Sequence, residues 1–147
     1  MPVRKGDPAR LLAAVNAQRA ALGRPEWQGP VTTAALDAAC VTSVLDAIDL
    51  DQGPERDAAR LAVVYLLGLL AAKAPGRAVE VRIPPFAAIQ CVEGPRHTRG
   101  TPPNIVETDA ATWLALADGS LNWAEAIADG RVSASGPRSD LSEFLPL

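Results

Sequence analysis

The chain has 147 residues, of which 48% are hydrophobic and 21% are charged, and its formal net charge at pH 7 is -3. These values are typical of a single globular domain, and the acidic balance argues against non-specific nucleic-acid binding, which requires a basic face. We therefore expect one domain, residues 1–147, that does not bind nucleic acid.

Two amphipathic helices are predicted at the start of the chain. Asp7 can cap a helix that begins at Pro8, and Gly23 lies just past its end. Thr32 or Thr33 can cap the second helix, in which apolar residues repeat every four positions. The glycines and prolines between them predict a loop.

A third helix is predicted from Pro54 to Lys73, with acidic residues in its first turn as the helix dipole favours. Its second half, from Leu61 to Ala72, is apolar nearly all round, which predicts burial on several sides or a subunit contact. This stretch is much shorter than the roughly 20 residues that a membrane-spanning helix needs. We therefore expect no stable membrane insertion.

The hydrophobic period changes after Pro75. Residues 78–84, "AVEVRIP", alternate strictly, which predicts a half-exposed strand. "FAAIQCV" predicts a second strand that is apolar on both faces, and "NIVET" and "RVSAS" predict two more. Between these last two, Asp109 and Asn122 can cap two short helices, and Ser139 can cap a final helical turn.

The order of these elements predicts an α+β fold. Helices grouped apart from neighbouring strands favour a layered packing with a largely antiparallel sheet. The helical N-terminal part is residues 1–76, and the remainder, residues 77–147, contains the sheet.

The connection between the second and third strands, "GPRHTRGTPPN", is a candidate binding loop. Arg96, His97 and Arg99 lie together in a stretch, residues 94–106, that contains no acidic residue, and Asn104 follows them. Such a cluster, with backbone amides freed by the glycines, can hold a carboxylate or phosphate. Alternatively, Arg96 or Arg99 pairs with Glu107 and only fastens the loop to its own strand.

Catalytic and metal-binding motifs are missing from the sequence. It contains one histidine, two distant cysteines, and no CxxC, HExxH, GxSxG or phosphate-loop motif. Glu107 and Asp109 are better explained as a strand residue and a helix cap than as an acid–base pair. We therefore expect a non-enzymatic cytoplasmic protein with reduced cysteines, no metal and no cofactor, and an enzyme that relies on His97 is a weaker alternative.

The second half of the chain resembles a known family. Residues 79–109, "VEVRIPPFAAIQCVEGPRHTRGTPPNIVETD", are similar to the bacterial sterol carrier protein orthologue group, and residues 108–147 resemble the closing segment of the sterol carrier protein 2-like domain. The resemblance covers residues 77–147. It implies a five-stranded sheet with helices over one face, so that four to five strands covered by helices are expected here. It also implies an apolar tunnel between sheet and helices, which in related domains takes sterols, fatty acyl chains or acyl-CoA.

The resemblance implies two candidate sites on this chain. One is an apolar cavity, and the other is the polar loop that would hold an anionic head group, with Arg96, His97, Arg99 and Asn104. The expected cavity residues are Phe86, Ile89, Trp113, Leu116, Trp123 and Ile127. Tryptophans on such helices are also common as plain core residues.

Two functions remain open from the sequence. The first is binding or carriage of an apolar or acyl-bearing small molecule. The second is a structural or partner-binding accessory module of the same fold, with a filled core and an option to form a homodimer. The predicted sheet is one strand short of the family pattern, and the core of small side chains could fill the tunnel.

Overall fold

The computed structural model describes residues 6–94 and 103–147. By their internal contacts, the residues divide into two compact units, Met1–Tyr65 and Leu66–Leu147. The boundary falls inside helix α3, Arg56–Lys73, so one helix contributes to both units. The fold class is α+β, as the order of the predicted elements indicates.

The first unit is helical. Helix α1 spans Pro8–Ala21 and helix α2 spans Thr33–Asp49. Asp7 caps α1 by accepting a hydrogen bond from the amide of Ala9, and Thr32 caps α2 in the same way. These caps confirm both predicted helix starts.

A buried polar side chain connects α1 to the start of α3. Gln18 is 1% exposed, and its Oε1 accepts a hydrogen bond of 2.8 Å from the amide of Glu55. Because this amide is one of the donors left unpaired at a helix start, Gln18 satisfies it. Helix α3 therefore begins at Arg56, two residues after the predicted start.

Four strands form one sheet in the second unit. They are β1 (Val79–Ile83), β2 (Ala87–Cys91), β3 (Ile105–Thr108) and β4 (Val132–Ser135), in the order β2-β1-β3-β4. The outer pairs β1–β2 and β3–β4 are antiparallel, which confirms the prediction, whereas the central pair β1–β3 is parallel.

One face of the sheet is buried and the other is exposed. Val79, Val81 and Ile83 of β1 are fully buried, and the register places Cys91 and Val106 on the same face. The second strand, which the sequence predicts to be apolar on both faces, has one face toward the core and one toward solvent. Ala88 and Gln90 are exposed because they lie on the face opposite the buried one, beside Arg82 and Glu80 of β1.

Two short helices follow β3. Helix α4 spans Ala110–Asp118 and helix α5 spans Trp123–Ala128, with the predicted caps Asp109 and Asn122. The final turn is a 3-10 turn, Ser142–Phe144. Its predicted cap is wrong, because the Ser139 hydroxyl donates to the carbonyl of Gly136 instead.

Helix α3 is not buried all round in its second half. Leu66, Leu67 and Leu70 are buried, but Leu69 is 39% exposed. The side chain of Leu69 thus lies at the surface, since even an apolar helix in a small unit keeps some side chains exposed. The alternative of a subunit contact at this position stays a prediction.

Candidate functional site

The six residues predicted to line an apolar cavity have different environments. Trp113 and Leu116 in α4 are 1% and 2% exposed. Phe86, Ile89 and Trp123 are half-buried, whereas Ile127 is 40% exposed. The structure therefore does not present the six side chains as one enclosed lining.

An apolar cavity of about 310 Å³ brings two of them together. Leu116 and Trp123 both line it, whereas Phe86, Ile89, Trp113 and Ile127 do not. The other residues of its lining come from the α4–α5 connection and from the C-terminal segment: Gly119, Leu121, Asn122, Ala124, Ser142, Leu145 and Pro146. We call this space the apolar cavity.

Local structure positions the wall of the apolar cavity that α4, α5 and their connection form. Gly119 ends α4 with φ of 89°, a conformation that glycine adopts without strain, and the chain then turns sharply into α5. Asn122 Oδ1 accepts a hydrogen bond from the amide of Glu125, which fixes the start of α5 and puts Trp123 in its first turn.

The C-terminal segment forms the opposite wall. The amide of Leu147 donates to the carbonyl of Ala117 at 3.0 Å, and the Lys73 Nζ donates to the carbonyl of Pro146 at 3.1 Å. Sequence analysis missed Leu145 and Pro146. The available signal was an apolar pair directly after the final turn, with no charged residue to keep it in water.

A second cavity, of about 400 Å³, lies beside the apolar one. It is lined by Val92, Pro137, Arg138, Asp140, Ser142, Glu143 and Phe144. We call it the polar cavity. Ser142 lines both cavities, so they adjoin at the 3-10 turn. Hydrogen bonds from the Ser142 hydroxyl and amide lower the pKa of Asp140.

Arg96, His97 and Arg99 lie outside the described residues, but both ends of their loop are described. Asn104 is 3% exposed. Its Nδ2 donates to the carbonyl of Ala78, and its Oδ1 accepts from the amide of Arg138, each at 2.8 Å. The Arg138 side chain also lies against Gly94. Both ends of the loop are therefore beside Arg138, at the polar cavity.

Asp109 and Glu107 are placed as a cap and a surface strand residue. Asp109 accepts hydrogen bonds from the amide and the hydroxyl of Thr112, at 2.8 and 3.0 Å. Glu107 is exposed on β3. The hydrogen bond and the charge of Glu80 raise the pKa of Arg82, and the charge of Glu107 makes a smaller contribution in the same direction. Both residues line a third cavity of about 300 Å³ together with Arg131. The carboxylate of Asp109 is engaged in its own helix.

Trp113 has an unusual polar atom. Its side chain is buried, and its indole Nε1 has no hydrogen-bond partner among the described residues. A buried donor without an acceptor is destabilising by about 1–3 kcal/mol. Trp113 is therefore held in the core by its large apolar ring and not by its polar atom.

The described part of the chain contains neither a metal-binding cluster nor a membrane-spanning helix. Residues 6–94 and 103–147 bring no cluster of three or more histidine, cysteine, aspartate or glutamate side chains together. Within the same ranges, the helices are too short or too polar to cross a bilayer.

Comparison with known proteins identifies one family. The family model described as "Bacterial SCP ortholog" matches residues 55–147. The match thus begins just before α3 and includes the whole second unit, whereas the resemblance quoted from the sequence began only at residue 77. No curated protein matches the chain.

Proposed function

The chain belongs to the bacterial sterol carrier protein ortholog family, and from this we propose that it is a non-enzymatic carrier of an apolar or acyl-bearing small molecule. Membership in this family supports a lipid-carrier type of module. The ligand site and the ligand class are the proposal. The carrier is proposed to act in the cytoplasm, where its two free cysteines would remain reduced.

The observation that carries the proposal is the apolar cavity. Leu116 is buried in its wall, Trp123 is half-buried beside it, and Leu121, Leu145 and Pro146 add apolar surface. A volume of about 310 Å³ lies at the lower end of the range for small-molecule sites. It favours one acyl chain of short or medium length over the rigid skeleton of a sterol.

The adjoining polar cavity supports an amphiphilic ligand. Ser142 borders both cavities, and we propose that a chain bound in the apolar cavity extends past it and places its head group near Arg138. Because Asp140 and Glu143 also line the polar cavity, Arg138 alone does not give its lining a net positive charge. We propose that Arg96 and Arg99, with His97, bring the additional positive charge that an anionic head group requires.

The rival proposal is a structural or partner-binding module with a filled core. It is supported by the burial of Trp113 and Leu114 at 1% and 0% exposure, and by the four predicted cavity residues that do not line the apolar cavity. The two proposals differ in whether a ligand binds at Trp123.

Fluorescence titration separates these proposals. Addition of a medium-chain fatty acid to the wild-type protein should change tryptophan emission saturably, with Kd of micromolar order, about -8 kcal/mol. The change should persist in Trp27→Phe, whose ring lies in the first unit, and should largely disappear in Trp123→Phe. No saturable change with fatty acids, acyl-CoA or sterols would favour the module.

A second arm tests the head-group proposal. Arg96→Ala combined with Arg99→Ala should weaken binding of a fatty acid by about 1–3 kcal/mol at unchanged melting temperature, the scale of charged hydrogen bonds. Binding of the corresponding uncharged alcohol serves as the control and should not change. A loss of stability with retained fatty-acid binding would instead mean that these arginines fasten the loop.

A further inference from the structure

Strand β2 is an edge strand of the sheet. Among the described residues it pairs with β1 on one side and with no strand on the other. From Pro84 to Val92 the sequence contains no charged residue, and β2 itself contains no proline. Monomeric proteins usually protect such edges with lysines, prolines or bulges, because an open edge can pair with another chain.

The direction of the free backbone groups on β2 follows from the hydrogen bonds of β1. The amide of Glu80 donates to the carbonyl of Asn104, on the β3 side of β1. Backbone amides and carbonyls alternate sides along a strand, so those of Val81 point toward β2, where Val81 pairs with Ile89. The amides and carbonyls of Ala88 and Gln90 therefore point away from β1, toward the open edge.

We propose that the β2 edges of two copies of this chain pair antiparallel about Ile89, which joins the two sheets across a twofold axis. In this register Ala88 of each copy lies opposite Gln90 of the other, and each such pair exchanges two hydrogen bonds. The proposal does not depend on the ligand site.

The side chains of β2 fit this register. Ala88 and Gln90 are exposed on one face, where the small alanine leaves room for the longer glutamine of the second copy. Ile89, half-buried in one copy, meets Ile89 of the other in a non-hydrogen-bonded pair, in which the Cα atoms lie about 4.5 Å apart. Pairing thus buries an apolar side chain at the axis and brings no like charges together.

The edge strand β4 provides the comparison. It also lies at an edge of the sheet, but with four residues it is shorter than β2, which has five. Arg131 precedes it directly, and Gly136 and Pro137 follow it. A proline lies two positions from one end of both strands, Pro137 after β4 and Pro85 before β2, but a charged residue adjoins β4 directly, whereas Glu93 lies two positions beyond β2. A charge beside the strand discourages pairing, so β2, which is also longer, is the better edge for a second copy.

Sedimentation equilibrium of the full chain tests the proposal. The wild type should be a dimer, and Ala88→Pro should be a monomer with an unchanged circular dichroism spectrum, because proline is tolerated at an edge position whose amide faces outward. Ser133→Lys, on the exposed part of β4, is the matched control and should remain dimeric. A monomeric wild type at every concentration would overturn the proposal, as would a dimer that Ala88→Pro leaves intact.

Cross-linking tests the register and does not depend on the proline variant. Under mild oxidation Ile89→Cys should give a disulfide-linked dimer. Ala88→Cys should not, because its Cα atoms would be more than the roughly 7 Å apart that a disulfide spans. The wild type is the background control, since Cys40 and Cys91 are buried. Equal cross-linking of both variants, or of neither, would contradict the proposed pairing.

Discussion

Asn104 shows how far a single residue can differ from its sequence-based interpretation. The sequence placed it in a polar ligand loop, whereas the structure shows both groups of its side-chain amide engaged with the backbone of Ala78 and Arg138. Nothing in the local sequence identified these partners, which are 26 and 34 residues away. An asparagine after two prolines is equally typical of a loop that binds a ligand and of a loop that is held in place by hydrogen bonds to the backbone.

The first prediction concerns this residue. Asn104→Ala leaves the buried carbonyl of Ala78 without its donor, so the free energy of unfolding should fall by about 1–3 kcal/mol. Urea denaturation measures the change. The exposed cap variant Asn122→Ala is the control and should cost about 1 kcal/mol. Unchanged stability of Asn104→Ala with weaker fatty-acid binding would instead restore Asn104 to the ligand site.

The two thiols give a prediction about pH. Burial, with smaller contributions from the charges of Asp37 and Asp57, raises the pKa of Cys40 to about 12, and burial raises that of Cys91 to about 11. The unfolded chain loses these protons near pH 9, whereas the native state keeps them. The free energy of unfolding should therefore fall as the pH rises above 9.

Urea denaturation at pH 8 and pH 10.5 measures this effect. The decrease in unfolding free energy between the two pH values should be smaller in Cys40→Ala than in the wild type, because the variant has one such proton fewer. Only the decrease is compared, since the substitution also removes the Sγ donor to the carbonyl of Ala58. An equal decrease in both proteins would mean that the Cys40 thiol is accessible to water in the native state.

At the scale of elements, local signals predicted most of the fold. Caps such as Asp7, Asp109 and Asn122 act within a few residues, so the sequence shows them directly. The pairing of strands, in contrast, depends on residues that are distant in sequence, so the local sequence does not show it. Whether β2 is central or at an edge depends on β1 and β3, and an apolar run alone cannot distinguish the two cases. The parallel β1–β3 pair was missed for the same reason.

Helix α3 gives a paired prediction at this scale. Leu66 is 6% exposed and Leu69 is 39% exposed, although the sequence around them is equally apolar. Leu66→Asp buries a charge without a partner and should lower the melting temperature by many degrees or prevent folding. Leu69→Asp should change it little. Thermal unfolding followed by circular dichroism compares the two, and equal effects of both substitutions would contradict the assigned helix face.

For the whole molecule, the candidate site depends on segments that are distant in sequence. The apolar cavity joins α4 and α5 to the C-terminal segment around Leu145. The family resemblance indicated Leu116 and Trp123 as cavity residues because they lie on the helices expected over the sheet. Both do line the apolar cavity. It could not indicate Leu145 and Pro146, whose position depends on backbone contacts with Ala117 and Lys73.

The last prediction concerns cooperativity. The sequence predicts one domain, and helix α3 continues through the boundary between the two units. An interrupted helix loses backbone hydrogen bonds on both sides of the break, so melting one unit alone would also destabilise the part of α3 in the other. We therefore expect a single calorimetric transition whose van't Hoff and calorimetric enthalpies agree.

Two substitutions test this expectation. Gln18→Ala and Asn104→Ala each remove a buried amide oxygen that accepts a backbone hydrogen bond, the first in Met1–Tyr65 and the second in Leu66–Leu147. Each should move the whole transition to lower temperature. Two transitions, of which each substitution moves only one, would show that the units unfold independently.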